Sequence, residues 1–164
     1  MSEYFFPILT AVQAVAPYRL RTVWNTGETL DVDVENVLRR HSFLAPILDP
    51  EMFARVHVDA NGRGIEWLDS ELGADNVYAW AKEQAGEPSH EMFDTWMQRN
   101  SLSLAGAAEA LGISRRMASY YRTAHKPIPR AIWLACLGWE TTRPNEHGLP
   151  RNLPTAREYA AMHA

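Results

Sequence analysis

The hydrophobic period changes once along these 164 residues, and that change limits the fold more than any other feature. Between Tyr18 and Val34 apolar side chains recur at every second position. Tyr18, Leu20, Thr22 and Trp24 oppose Arg19 and Arg21, and Leu30, Val32 and Val34 alternate with Asp31 and Asp33. A period of two belongs to strands with one buried face. After Ser89 the period becomes helical, with Met92, Phe93, Trp96 and Met97 at i, i+1, i+4 and i+5 of a helix opened by Ser89 or His90. The expected class is α+β: a small, mostly antiparallel N-terminal sheet with one or two helices, then an all-α helix-turn-helix domain. The expected boundaries are an acidic domain over 1–81, a linker over 82–89 marked by Gly86 and Pro88, a helical domain over 90–142, and a C-terminal arm over 143–164. In that arm Thr155-Ala156-Arg157-Glu158 has capping-box spacing, which predicts a short final helix that docks on the rest.

With 46% apolar and 22% charged residues the chain can bury a core, which excludes a disordered or fibrous protein. The single cysteine, Cys136, excludes an internal disulfide and a multi-cysteine zinc site and fits a reducing, cytoplasmic address. The longest apolar run, Ala131 to Trp139, is nine residues, far below the roughly 18 to 20 that span a bilayer. Ala14-Val15-Ala16 mimics a signal-peptidase site, but no Lys or Arg precedes it, so secretion is not expected.

Within the first half, Ile8 to Val15 reads as a strand ended by Pro17, and Asn25-Thr26-Gly27 as the loop of a hairpin. A short helix before Pro46, a capped turn at Asp49-Pro50, a hairpin turning at Asn61-Gly62 and a helix capped near Asp75 complete it. Asp31 and Asp33 share a strand face and could pose as a carboxylate pair, although alternation alone predicts a solvated face there. His41 and His57 have no neighbour at ligand spacing, and neither a phosphate loop nor a nucleophile elbow is present. No enzyme, metal or cofactor is expected.

The succession Val23-Trp24-Asn25-Thr26-Gly27-Glu28, Leu30-Asp31-Val32-Asp33-Val34, Leu44 to Leu48, Met52-Phe53-Ala54-Arg55-Val56 and Gly64-Ile65-Glu66-Trp67 resembles the bacterial family known as domain of unknown function 2442, over about residues 8 to 80. The resemblance implies a small α+β domain without catalytic residues, and an antitoxin-like role toward a small basic, toxin-like protein.

Charge divides the chain as periodicity does. Residues 1–86 hold seven Lys/Arg against thirteen Asp/Glu, whereas 87–164 hold nine against seven. Ser114 to Arg130 carries Arg115, Arg116, Arg122, Lys126 and Arg130 without one acid, so an anionic partner is expected there. The same stretch has the order helix (Leu104 to Leu111), turn (Gly112), apolar plug (Ile113), N-cap (Ser114) and basic helix (Arg115 to Arg122). Ala107-Ala108 would let two helices cross closely, while Ala118 and Tyr121 give the second helix an inner face and leave Arg115, Arg116, Ser119 and Tyr120 outside. Leu102 to Glu140 resembles the Cro and phage-repressor DNA-binding domain, with Ala108, Gly112, Ile113 and Ser114 on its small, turn, plug and cap positions. The resemblance implies that Ser114, Arg115, Arg116, Ser119 and Tyr120 meet DNA. It also exposes a departure, because Leu104 stands where that family often carries a phosphate-gripping glutamine. Backbone anchoring then falls to Ser103, Lys126 and Arg130, on a helix that Gly106 weakens by about 1 kcal/mol.

Ile128 to Trp139 reads as a helix apolar on more than one side, with Cys136 a buried apolar residue, and its surplus face predicts a homodimer. The function expected is a bacterial DNA-binding protein, a transcription regulator reading duplex DNA. The rival is an antitoxin-like interaction module in which the helix-turn-helix is a scaffold.

Overall fold

A computed structural model of the chain describes residues 5–142 and 154–162. The architecture is α+β, with small antiparallel sheets in the N-terminal half and helices in the C-terminal half. Strands β1 (Leu9–Ala16), β2 (Arg19–Trp24) and β3 (Thr29–Asp33) form a meander in which Leu20 faces Ala14 on one side and Val32 on the other. The alternation read from the sequence holds: Leu20, Thr22, Trp24 and Val32 are buried, and Arg19, Arg21, Asp31 and Asp33 are exposed. Buried Thr22 is satisfied, accepting from the Trp24 indole at 2.9 Å and donating to the Leu30 carbonyl at 2.8 Å. Tyr18 departs from expectation. It stands in the β1–β2 turn at φ 64°, and its hydroxyl donates to the Leu48 carbonyl at 2.6 Å while its ring packs edge-on against Phe53. Those tertiary contacts hold a conformation that a bulky residue otherwise avoids.

Helix α1 (Glu35–Arg40) leads into a 3-10 helix, Ser42–Leu48, which runs through Pro46 instead of ending before it. Leu44 and Ile47, three apart, eclipse on one side of a threefold turn and are both buried, which explains the choice of the tighter helix. Helix α2 (Pro50–Phe53) starts on its proline as expected. Strands β4 (His57–Val58), β5 (Gly64–Trp67) and β6 (Ser70–Gly73) make a second three-stranded antiparallel sheet where a single hairpin was expected. The β5–β6 turn places Leu68 at φ 41°, and no glycine announced it. Gly62 (φ 69°) does serve the β4–β5 loop: its carbonyl accepts from Leu9 N at 3.0 Å, and a Cβ there would lie 2.6 Å from the Leu9 carbonyl oxygen.

Helix α3 (Ala74–Gln84) follows, with Gly73 at its N-cap and Asp75 in its first turn. It runs into the segment expected to be a linker. Lys82 is buried there, its ammonium held by Glu28 at 3.0 Å and by Glu87, while the Tyr78 hydroxyl donates to the same Glu28 at 2.6 Å. The exposed stretch shrinks to Glu83–Glu87.

Helices α4 (His90–Arg99), α5 (Leu104–Leu111), α6 (Arg115–Arg122) and α7 (Arg130–Thr142) enclose a second core of Phe93, Trp96, Met97, Ala107, Ala118 and Tyr121. The cores touch: Ala124 of the α6–α7 loop, at φ 60°, is buried in the first one, and Thr123 accepts from Phe6 N at 2.8 Å. Helix α7 is less covered than its sequence implied. Cys136 is its only fully buried residue, and Leu134 and Leu137 are 55% and 43% exposed. Helix α8 (Ala156–Met162) has the expected Thr155–Glu158 cap, and its residues are exposed. Arm residues 143–153 lie outside the described residues.

Candidate nucleic-acid interface

Three local choices aim α6. Gly112 ends α5 at φ 69°, ψ 32°, a left-handed conformation that glycine adopts without steric cost. Ile113, half-buried, packs on the helical core and donates to the Ala108 carbonyl at 3.0 Å. Ser114 then caps α6, its Oγ accepting from Met117 N at 3.0 Å. Ala118 and Tyr121 anchor the helix inward, and burial raises the Tyr121 hydroxyl pKa above its ordinary value. The remaining face carries Arg115, Ser119, Arg116 and Tyr120 within an arc of about 140°. Arg115 and Arg116 are exposed, whereas Ser119 and Tyr120 are half-buried.

The sequence-identified residues do not all have the same freedom. Ser103 caps α5 as Ser114 caps α6, accepting from Gly106 N at 3.0 Å. In both serines the oxygen is used as an acceptor and the O–H remains a donor. Lys126 and Arg130 are exposed beyond the C-terminal end of α6. Among the described residues none of Arg115, Arg116, Lys126 and Arg130 pairs with a carboxylate, while Arg122 does, its Nε 2.7 Å from Asp94 Oδ1. Arg122 therefore ties α6 to α4. Tyr120 is also engaged, its ring stacked on His125 at 5.3 Å, and His125 stacks in turn on Phe6 at 4.2 Å. Burial lowers the His125 pKa, which favours the neutral imidazole in this stack. Phe6 and His125 had no signal in the sequence, because a stack built from opposite ends of the chain leaves no periodic trace.

The other chemistry considered in the sequence resolves into structure. Asp31 pairs with Arg21 at 2.9 Å, Asp33 accepts from Glu35 N at 2.9 Å, and His57 lies 3.1 Å from Glu66, so the strand carboxylates are a solvated, paired face. Asp59, Glu66 and Glu71 bring carboxylates together on the second sheet, but Asp59 is occupied in bonding Asn61 N and Arg63 N. Burial pushes the Cys136 thiol up to about 12, which leaves it unreactive.

Residues 9–83 match the family described as protein of unknown function (DUF2442), close to the span expected from the sequence. The whole chain is similar to a protein of known crystal structure, "Putative DNA Binding Protein NE0471" from Nitrosomonas europaea, at 71% sequence identity and a TM-score of 0.85, over 94% of this chain and 100% of that one. This chain belongs to the NE0471 family. No curated protein matches it. The DUF2442 match ends inside α3, so for α4–α7 the likeness to NE0471 is what places them in the family fold. No helix among the described residues is long and apolar enough to cross a membrane.

Proposed function

We propose that this protein binds duplex DNA, with α5 and α6 as a helix-turn-helix, α6 entering the major groove, and transcription regulation as the outcome. One observation carries the reading: the capped helix α6 projects two unpaired, exposed arginines from a segment that contains no acid. The DNA-binding designation of the NE0471 relative supports it. Arg115 and Arg116 read base edges, with Ser119 and Tyr120 bordering them. Ser103, Ser114, Lys126 and Arg130 hold phosphates, the serines through their free O–H groups. Leu134 and Leu137, exposed and three apart on α7, form the face of a homodimer that spaces two such helices. In this reading the protein is a cytoplasmic binding protein and not an enzyme.

Selection from a randomised duplex pool at two salt concentrations tests it. Specific reading enriches a motif, and charge attraction alone does not. A second reading draws on Tyr120, whose ring is committed to His125, and on Leu104 at the position of a phosphate-gripping glutamine. If the pool yields no motif, the helix pair is a scaffold and the acidic half meets a small basic, toxin-like protein.

A further inference from the structure

His125 stands in the α6–α7 loop directly before Lys126, and both are exposed. Its Nδ1 is 2.6 Å from the Thr123 hydroxyl oxygen, and that same oxygen is 2.8 Å from the Ser119 carbonyl. One hydroxyl carries one proton. A carbonyl only accepts, so both contacts are hydrogen bonds only when the Thr123 O–H donates to Ser119 and the imidazole donates from Nδ1 to Thr123. That arrangement fixes the tautomer. A neutral His125 carries its proton on Nδ1 and a bare lone pair on Nε2, which has no hydrogen-bond partner among the described residues. Thr123 is buried, so the Nδ1 edge of the ring faces the protein and Nε2 lies on the edge turned away from it. Stacking on Phe6 at 4.2 Å and on Tyr120 at 5.3 Å holds the ring in that pose.

We infer that His125 Nε2 is a further phosphate contact of the DNA interface and takes up a proton when DNA binds, which ties DNA affinity to pH. This inference rests on the DNA-binding reading above. A lone pair facing a phosphate oxygen repels it, whereas a protonated Nε2 donates a charge-assisted hydrogen bond to it. The surroundings suit a phosphate, because Lys126 follows directly and Ser114 to Arg130 contains no acid. The groups around the imidazole are Phe6 of the N-terminal segment, the Tyr120 phenol of α6, and Thr123 and Lys126 of its own loop. None of these is a carboxylate. Burial is what lowers the imidazole pKa in the free protein, and the arriving phosphate raises it. Affinity is therefore greatest at acid pH and falls as pH rises through the pKa of the DNA-bound imidazole, by about tenfold for each unit that the phosphate adds. The two aromatic faces favour the charged ring as well.

Fluorescence anisotropy of the full chain on a random-sequence duplex of about 20 base pairs, at low salt and at pH 5.5, 6.5 and 8, tests it, because a phosphate contact needs no preferred sequence. The parent should bind about fivefold or more tightly at pH 5.5 than at pH 8. His125→Asn, which keeps a donor for Thr123 but has no ring to ionise, should lose most of that gain; other titrating groups are common to both proteins and cancel in the comparison. Nuclear magnetic resonance of the parent, with the His125 ring assigned by its absence from the variant, should show the proton on Nδ1 at pH 8 and a pKa that the duplex raises. No duplex binding at any pH overturns the DNA-binding reading and this proposal together. Duplex binding with the same pH response in both proteins, an Nε2–H tautomer at pH 8, or an imidazole pKa that the duplex leaves in place overturns this proposal alone.

Discussion

Glu91→Gln should make the protein more stable at pH 8 and change little near pH 4.5. Glu91 occupies the first turn of α4, half-buried beside Asp75, Glu83 and Asp94, and burial followed by these neighbours raises its carboxyl from 4.5 to about 7. Between those values the folded chain keeps a proton that the unfolded chain has released. The associated stability is complete below about pH 4.5 and is lost as pH rises through about 7. At about 1.4 kcal/mol per pKa unit the ceiling is about 3 kcal/mol. Partial solvent access and the favourable position of a carboxylate at a helix N-terminus reduce that to about 1 kcal/mol. Glutamine keeps the shape and carries no charge, so the variant does not suffer the loss. His90, next in sequence, titrates in the opposite sense. Burial lowers it from 6.5 to about 4, so its contribution is present above pH 6.5 and disappears as pH falls through about 4. It does so in both proteins and cancels in their difference. Equilibrium urea unfolding at pH 5, 6.5 and 8 reads the gap, and thermal melts should show it as roughly 2–4 °C at pH 8. A gap that does not change with pH would mean that Glu91 is solvated like any surface carboxylate, and the crowding by Asp75, Glu83 and Asp94 would be wrong.

Arg116→Ala should cost about 1 to 3 kcal/mol on the preferred duplex and relax one base position, whereas Lys126→Ala should weaken all sequences alike and lower the salt slope by about one; identical effects in competition assays at two salt concentrations would remove base reading from α6. Gly112→Ala should destabilise by about 1 kcal/mol in urea, because the space around it is open and the cost is that of φ 69° alone; an unchanged midpoint would contradict the left-handed cap. Limited proteolysis should nick the exposed Glu83–Glu87 stretch, yet the two fragments should co-elute on gel filtration, since the first core holds Ala124 and Thr123 bonds Phe6; fragments that separate and stay folded would mean two independent domains.

What was legible in the sequence was whatever a local pattern enforces. The β2–β3 hairpin followed from alternation and Gly27, and α4 to α6 followed from helical spacing, Ser89, Ser114 and Gly112, each of which does locally what its chemistry predicts. The basic outer face of α6 was legible for the same reason, since an inner face at Ala118 and Tyr121 fixes the outer one. Strand β6 was missed because its turn places Leu68, a residue type that carries no turn signal, at positive φ. The extension of α3 through Lys82 was missed because a buried lysine is credible only once Glu28, 54 positions away, is seen beside it. The junction was invisible for the strongest reason: Phe5, Phe6, Thr123, His125 and His90 meet only after both halves have folded.

That junction changes what the acidic half does for α6. The N-terminal end of α6 carries Arg115 and Arg116 into solvent, but its C-terminal end is braced from the other half of the chain. Tyr120 stacks on His125, which stacks in turn on Phe6, the Thr123 carbonyl accepts from Phe6 N, and Ala124 is buried in the first core, while within the helical half Arg122 is held by Asp94 of α4. On the proposed DNA-binding reading, the α6 side chains have to be held to within a fraction of an ångström, and a helix of eight residues has little stability of its own with which to hold them. The α+β half therefore acts as part of the frame that sets the pitch of α6.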